Sequence, residues 1–163
     1  MDKLIFDSDA LIKLEKSGIL REVCFHWKCI TTAEVKSECV DEGKKRFHQD
    51  ALNIEDLINE KLLKIKNPKR QRKIKERLGR GEISAVNLYF QEKKSTIVTD
   101  DSAFIKYLQE NNIRHVLPAN LVVAMKRSKK IDAKMALSYL EKLRGYIKDE
   151  VYDDARKDMM EEE

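Results

Sequence analysis

Hydrophobic and polar positions along the chain follow a repeated order of strand and helix. Short apolar runs bounded by charged residues predict buried strands, because each run is too short for an amphipathic helix. The runs are Lys3 to Phe6, Trp27 to Thr31, Leu62 to Ile65, Thr96 to Thr99 and, as an edge strand, His115 to Leu117. Strands that alternate with helices imply a mostly parallel sheet of four or five strands in a three-layer α/β/α sandwich.

The helices between these strands are predicted from apolar spacing and from capping residues. Ser8 or Asp9 can cap the first helix and Gly18 can stop it, while Thr32 can cap the helix after the second strand. Further signals are an apolar stripe of Phe47, Ala51, Ile54 and Ile58, a helix from about Glu82 to Lys93, and a helix opened by Pro118.

Length and composition favour one compact domain. The chain has 163 residues, of which 42% are hydrophobic and 38% charged, so it can form a single core and has little room for a second. We expect this domain over residues 1–148, followed by an acidic tail over residues 149–163 that is solvated, helical or a partner-binding segment. Cys24, Cys29 and Cys39 form no CxxC pair, which predicts reduced thiols in the core. Without an apolar window of about 18 residues or a signal-peptide pattern, the sequence predicts a cytoplasmic protein with no membrane partner.

Acidic residues stand where predicted strands end or helices begin. Asp7 follows the first strand, with Asp9 two residues on, and the Asp100–Asp101 pair follows the fourth. In parallel sheets functional sites lie beyond the carboxyl ends of the strands. Glu38 and Glu82 stand near the starts of two helices. Each of these acids could be a helix cap or an ordinary helix residue, but together they offer the hard oxygen donors that Mg²⁺ and Mn²⁺ prefer.

Four segments resemble the motifs of the PIN-domain family, which includes the VapC-like ribonucleases of toxin–antitoxin pairs. "LIFDSDALIKL" resembles the opening strand with its Asp, here Asp7, and "ITTAEVKSECV" resembles the second motif, in which Glu38 follows the cap at Thr32 and Glu34 competes with it. "LGRGEISAVNLY" is similar to the third motif in the subgroup that carries Glu, here Glu82. "TIVTDDSAF" resembles the fourth motif, and either Asp100 or Asp101 can align with the Asp of that motif.

The resemblance implies a PIN-like nuclease domain over residues 1–148 that hydrolyses phosphodiester bonds of RNA with Mg²⁺ or Mn²⁺. Asp7 and either Asp101 or Asp100 would be the principal metal ligands, because adjacent extended residues point to opposite sides. Glu38 and Glu82 would complete the set of acids or orient water. The auxiliary residues would be Asp9, Thr99 and Ser102. The resemblance also implies RNA, a cognate antitoxin protein and a second copy of the chain as partners.

A basic segment lies directly before Glu82, which would place it beside the proposed site. Nine cations stand against the single acid Glu76 in the 17 residues from Lys64 to Arg80, which favours a polyanionic partner over a merely soluble loop. No aromatic residue interrupts the segment, so base stacking is not evident there. The predicted RNA-binding residues are Lys69, Arg70, Arg72, Lys73, Lys75, Arg77 and Arg80.

Two other functions stay open at this point. "LIFDSDALI" also resembles the Asp-x-Asp strand of haloacid-dehalogenase phosphatases, although Ala10 stands where that family usually has Gly. The other alternative is a PIN module that binds RNA or a protein partner without cleaving. The filled set of acidic positions favours a working nuclease site over both.

Overall fold

A single five-stranded sheet forms the centre of the molecule. The computed structural model describes residues 3–74 and 77–161. The strand order is β3-β2-β1-β4-β5 and every pairing is parallel. The strands are β1 (Lys3–Phe6), β2 (Lys28–Thr31), β3 (Leu63–Ile65), β4 (Ser95–Val98) and β5 (His115–Val116). All five predicted strands are therefore confirmed, within about one residue at each end.

Helices connect the strands and cover both faces of the sheet. They are α1 (Ser8–Lys16), α2 (Leu20–His26), α3 (Ala33–Lys36), α4 (Glu42–Lys45), α5 (Gln49–Asn59), α6 (Arg80–Tyr89), α7 (Ser102–Glu110), α8 (Pro118–Arg127), α9 (Ala133–Leu143) and α10 (Asp149–Met160). A π-helical turn, Ser37–Asp41, joins α3 to α4. Pro118 opens α8, and Gly18, with φ of +77°, follows the end of α1, as predicted.

The two faces of the sheet carry two separate cores. Leu4 and Phe6 of β1 pack in the larger core, which includes residues of α1, α5, α8, α9 and α10. Ile5, which points to the opposite face, packs in the smaller core with residues of α6 and α7. This alternation confirms the three-layer α/β/α sandwich. The three cysteines are free and buried, as predicted.

Two local predictions were wrong, and one helix was not predicted. The cap of α1 is Asp7, whose side chain accepts a hydrogen bond from the backbone of Ala10, and not Ser8 or Asp9. Helix α2 was missed because it has only seven residues and its first turn has no capping side chain. Phe47 lies outside α5 in a left-handed turn, with φ of 57° and 96% of its surface exposed, so it does not extend the apolar stripe of that helix.

The acidic C-terminal segment forms a helix that packs against the rest of the fold. Tyr152, Ala155 and Met159 of α10 are buried in the larger core, close to α8 and α9. The acidic side chains occupy the opposite, mostly exposed face, so the apolar residues of α10 decide how it docks. Glu162 and Glu163 lie outside the described residues. Within the described ranges, no helix combines the length and apolarity that a membrane crossing needs.

Candidate active site

Four acidic side chains from four elements converge at the carboxyl edge of the sheet. Asp7 follows β1, Glu38 lies in the π-helical turn after α3, Glu82 is in the first turn of α6, and Asp101 precedes α7. Their charges affect one another: Asp7 is close enough to Glu82 for repulsion to raise its pKa, and Glu82 is similarly affected by Asp101 and Glu38. The parallel topology therefore concentrates negative charge at this edge, with Glu82 central to it.

Asp7 is the most deeply buried of these acids. It is 4% exposed, and its Oδ1 accepts a hydrogen bond of 2.8 Å from the backbone N–H of Ala10 while Oδ2 accepts one from the hydroxyl of Thr99. Burial raises the pKa of Asp7 to about 7; the two hydrogen bonds oppose this shift, and repulsion from Asp9 and Glu82 adds to it. Asp7 is thus both a helix cap and a buried carboxyl group that resists ionisation.

Glu38 is fixed by contacts from two neighbouring elements. Its Oε1 accepts a hydrogen bond of 2.9 Å from the backbone N–H of Gly81, and its Oε2 accepts one of 2.9 Å from the hydroxyl of Ser8. A Cβ atom at position 81 would lie only 2.5 Å from Oε2 of Glu38, so the glycine leaves room for this carboxylate. Glu38 makes these contacts, rather than its competitor Glu34.

Glu82 is turned back towards the start of its own helix. Its Oε2 accepts a hydrogen bond of 2.7 Å from the backbone N–H of Gly79, the residue that caps α6. Partial burial raises the pKa of Glu82, the Gly79 hydrogen bond opposes this, and the negative charges of Asp101 and Glu38 raise it further. Glu82 therefore bonds to the start of its own helix and also lies among the other acids.

Asp100 and Asp101 diverge, as expected for adjacent residues. Asp100 forms an ion pair of 2.7 Å with Lys13, and the same ammonium group lies 2.9 Å from Asp9. Asp101 caps α7 by accepting a hydrogen bond of 2.8 Å from the backbone N–H of Phe104, and its negative charge raises the pKa of Glu82. Asp101 is therefore the member of the pair that joins the acidic cluster, while Lys13 holds Asp100 and Asp9 together.

The two predicted supporting hydroxyls differ in position. Thr99 is fully buried; it donates to Asp7 and accepts a hydrogen bond of 3.2 Å from the backbone N–H of Asp101, so it links two of the acids. Ser102 accepts a hydrogen bond of 2.7 Å from Lys148, the residue before α10. Thr99 thus belongs to the acidic cluster, and Ser102 lies against the C-terminal helix.

A family model described as "PIN domain" matches residues 3–161. The chain belongs to the PIN-domain family. Proteins of this family are generally nucleases and typically use divalent metals. No curated protein matches the chain. The predicted family is thus confirmed, and the VapC-like subtype stays a prediction.

The acids of this PIN domain suit a hard divalent cation by their chemistry. All four offer carboxylate oxygens, and each oxygen that accepts one hydrogen bond keeps a further lone pair. Among the described residues, however, no three acidic, imidazole or thiol groups already stand together as a ready cation cage. Glu38, Glu82 and Asp101 are each held by a backbone N–H.

The basic segment of the PIN domain runs along α6. The backbone N–H groups of Lys69 and Arg72 donate hydrogen bonds of 2.7 Å to Gln91 and Asn87, respectively. Asn87 and Gln91 lie five and nine residues after Glu82, so Lys69 and Arg72 are near the end of α6 and not near the acidic cluster at its start. Arg80 opens α6, two residues before Glu82. Only the end of the segment adjoins the cluster, and Lys75 lies outside the described residues.

Sequence reasoning missed three residues of the site and one aromatic contact. Gly81, Ser8 and Lys13 make their contacts to acids across 30 or more residues of chain, so local patterns do not reveal them. The glycine directly before Glu82 is a weak signal, because glycine inside a helix is unfavourable. The guanidinium of Arg72 lies 4.0 Å from the centre of the Phe90 ring, which supplies an aromatic neighbour that the basic segment itself lacks.

Proposed function

We propose that this PIN domain is a metal-dependent endoribonuclease that hydrolyses phosphodiester bonds of single-stranded RNA with Mg²⁺ or Mn²⁺. The observation that carries the proposal is the convergence of Asp7, Glu38, Glu82 and Asp101 from four elements. Burial, with a smaller contribution from the repulsion of neighbouring acids, raises the pKa of Asp7 and of Glu82, so their ionised forms are unfavourable without a compensating cation.

Each acid has a distinct role in the proposal. Asp7 and Asp101 are the principal cation ligands, and Glu38 and Glu82 complete the shell or hold the attacking water. When bound, divalent cations lower the pKa of water and stabilise charge on the phosphoryl oxygens. Asp9 and Asp100 act indirectly, since both pair with Lys13 and so keep its positive charge at the rim of the cluster.

Three groups position these acids. The hydroxyl of Thr99 orients Asp7 and meets the backbone N–H of Asp101, which fixes the relative positions of the two principal ligands. Ser8 and the backbone of Gly81 hold Glu38. Such support matters because catalytic groups have to be held within a fraction of an ångström of their working geometry.

RNA is the proposed substrate because family membership and surface charge agree. Among the predicted RNA-binding residues within the described ranges, Lys69, Arg70, Arg72, Lys73, Arg77 and Arg80 are all exposed. Each cation that meets a phosphate releases counterions and adds affinity without requiring a particular sequence. Arg77 and Arg80 are close in sequence to Glu82 and would meet phosphates nearest to the scissile bond.

The proposal extends to a toxin-type role in the cytoplasm, with an antitoxin protein as partner and a homodimer as the working form. Its support is the resemblance of the four motif segments to toxin ribonucleases. The observation that would decide for this role is a small antitoxin gene immediately upstream. A stand-alone gene would favour a housekeeping nuclease.

A binding module without catalysis is the second candidate. It is favoured by the hydrogen bonds that turn Glu82 and Asp101 towards helix starts, where they serve as caps. The phosphatase alternative has less support, because its nucleophile would be Asp7, which is 4% exposed, and its general acid would be Asp9, which is paired with Lys13.

A cleavage assay with mixed oligonucleotides tests the proposal. Single-stranded RNA and DNA of one sequence are incubated with the protein in Mg²⁺ or Mn²⁺, with and without EDTA. We expect internal cuts in RNA that EDTA abolishes. Cation-independent cleavage would contradict the metal role, and RNA binding with no cleavage under any condition would favour the binding module. Hydrolysis of a small aryl phosphate with a phosphoenzyme would favour the phosphatase.

A further inference from the structure

A basic surface on the sheet adjoins the first half of the basic segment, away from the acidic cluster. On the face that carries the smaller core, α6 packs mainly on β1 and β4. The same face of β2 and β3 carries Lys28 and Lys64, both exposed. Parallel register sets Lys28 directly beside Lys3, and it sets Lys64 beside Ile30, two residues after Lys28. Because side chains two residues apart share a face, these three lysines lie together on one side of the sheet.

Glu92 is the acid that pairs with lysines of this surface. Glu92, 7% exposed, accepts a hydrogen bond of 2.7 Å from Lys3 and pairs with Lys66. Within the described ranges, no ion pair involves Lys28, Lys61 or Lys64. Like charges on adjacent strands repel one another, so these lysines destabilise the fold unless an anion binds to them.

Two neighbouring cavities make the surface concave. The first, of about 410 Å³, lies over β2 and β3 and has apolar walls that include Trp27, Leu62 and Ile65. The second, of about 350 Å³, lies between Lys69, Arg70 and Gln91. Both are lined by Lys66 and Glu92, so the cavities meet at that ion pair. Together they form one groove, whose cations are Lys3, Lys28, Lys61, Lys64, Lys66, Lys69 and Arg70.

We propose that this groove binds a second segment of the RNA, outside the cleavage site. This inference rests on the proposed function and goes beyond it, because it adds Lys28, Lys61 and Lys64 to the RNA contacts. Lys3 begins β1 and Asp7 follows its end, so the Lys3 end of the groove lies about 13 Å from the acidic cluster along the strand. A substrate has to extend beyond the scissile position to reach the groove.

The charge pattern favours a polymer over a small anion. Seven cations are spread over two joined cavities, and the one acid among them already has two lysine partners. A single phosphate would meet only a few of these side chains, whereas a polyanion meets them in series.

A binding titration in a cleavage-inactive background tests the groove. The charges of Lys28 and Lys64 are reversed in the Asp7→Asn protein by the substitutions Lys28→Glu and Lys64→Glu. The dissociation constant for a 20-nucleotide RNA is then measured at several salt concentrations. Losing two contacts should flatten the log–log salt slope by about 1.4 and weaken binding roughly 20-fold at 0.1 M salt. The neutral pair Lys28→Gln with Lys64→Gln should show the same direction, and melting temperatures report whether each variant folds.

The matched control reverses Lys134 and Lys157, two exposed lysines on α9 and α10, and so changes net charge equally. An effect of the control as large as that of the groove variant would show only general electrostatics and would overturn the proposal. Unchanged RNA affinity and slope in the folded groove variants would also overturn it. Poly-glutamate is titrated in parallel: if the variants lose its binding and keep that of RNA, the groove takes an acidic protein segment instead. If the wild-type protein binds RNA through the groove but does not cleave it, the result would count against the proposed nuclease activity and not against the groove.

Discussion

The backbone N–H of Gly81 donates a hydrogen bond of 2.9 Å to Oε1 of Glu38, and there is no space for a side chain between them. A Cβ at position 81 would lie 2.5 Å from Oε2 and 2.8 Å from Oε1 of the same carboxylate. Glycine costs about 1 kcal/mol relative to alanine inside a helix. Helix α6 carries this glycine in its first turn, where the glycine N–H contacts Glu38, so the sequence of the helix is linked to the position of that acid.

Gly81→Ala should therefore impair the site more than the fold. The methyl group displaces the Glu38 carboxylate, so we expect cleavage to fall at least tenfold. The gain in helix propensity, about 1 kcal/mol, offsets much of the crowding, and the melting temperature should change little. Gly145→Ala is the matched control, because a Cβ there meets nothing within 4 Å. Equal activity in the two variants would remove Glu38 from the site.

Asp101→Asn should reduce cleavage strongly and stability only slightly. Asparagine is as good a helix cap as aspartate, so the bond to Phe104 can persist, but a neutral amide is a much weaker cation ligand. Cleavage rates and melting temperatures are measured together. Full activity in Asp101→Asn would show that the residue is only a cap.

Asp100→Asn should show the opposite pattern. Its carboxylate is 7% exposed and pairs with Lys13, so neutralising it removes a partly buried ion pair and costs roughly 1 to 3 kcal/mol of unfolding free energy. Cleavage should fall less than in Asp101→Asn. A larger loss of activity than in Asp101→Asn, with stability unchanged, would reverse the two assignments.

The metal-free protein should lose stability as pH rises from about 4 to 7. The pKa of Asp7 is raised to about 7 in the fold from its ordinary value of 3.8, so between these pH values the folded state holds a proton that the unfolded chain has released. The contribution of Asp7 to the free energy of unfolding is greatest below pH 4. It falls by up to about 4 kcal/mol as the pH rises to 7 and then levels off. Urea unfolding in EDTA at several pH values measures this change.

Comparison with Asp7→Asn isolates that contribution, since other groups titrate in both proteins. The difference in unfolding free energy between variant and wild type should grow in favour of the variant as pH rises. A difference that is independent of pH would mean that Asp7 ionises normally in the folded protein.

Thr99→Val should shift the pH dependence of cation binding upward. The hydroxyl of Thr99 stabilises the ionised form of Asp7, so its removal raises the pKa further and delays formation of the carboxylate. We expect the midpoint of Mn²⁺ binding against pH to rise by roughly 0.5 to 1 unit. Thr99→Ser keeps the hydroxyl and should restore the wild-type midpoint. A shift of the same size in both variants would point to packing rather than to the hydrogen bond.

The sequence predicted the sheet and the four acidic positions because both depend on local pattern. Each buried strand is an apolar run, and Asp7 and the Asp100–Asp101 pair directly follow two of them. The choice between Asp100 and Asp101 depended on Lys13, which is on α1 and 87 residues from Asp100. No local pattern contains that information.

The remaining errors have the same origin. Phe47 fits helical spacing with Ala51 and Ile54, but the chain turns at Phe47 before α5 begins. The basic segment was expected beside the acidic cluster because it precedes Glu82 in sequence. Its contacts to Asn87 and Gln91 instead carry its first half along α6, away from that cluster. Proximity in sequence was misleading because the segment doubles back along the helix.

The most direct test of the account is RNA cleavage by wild type and Asp7→Asn, measured with Mn²⁺ binding on the same samples. Loss of a ligand should remove several kcal/mol of transition-state stabilisation, which corresponds to about a hundredfold or greater loss of rate. We predict that Asp7→Asn folds, binds RNA, binds Mn²⁺ more weakly and cleaves at below a hundredth of the wild-type rate. Retention of more than about a tenth of that rate, with Mn²⁺ affinity unchanged, would contradict the account.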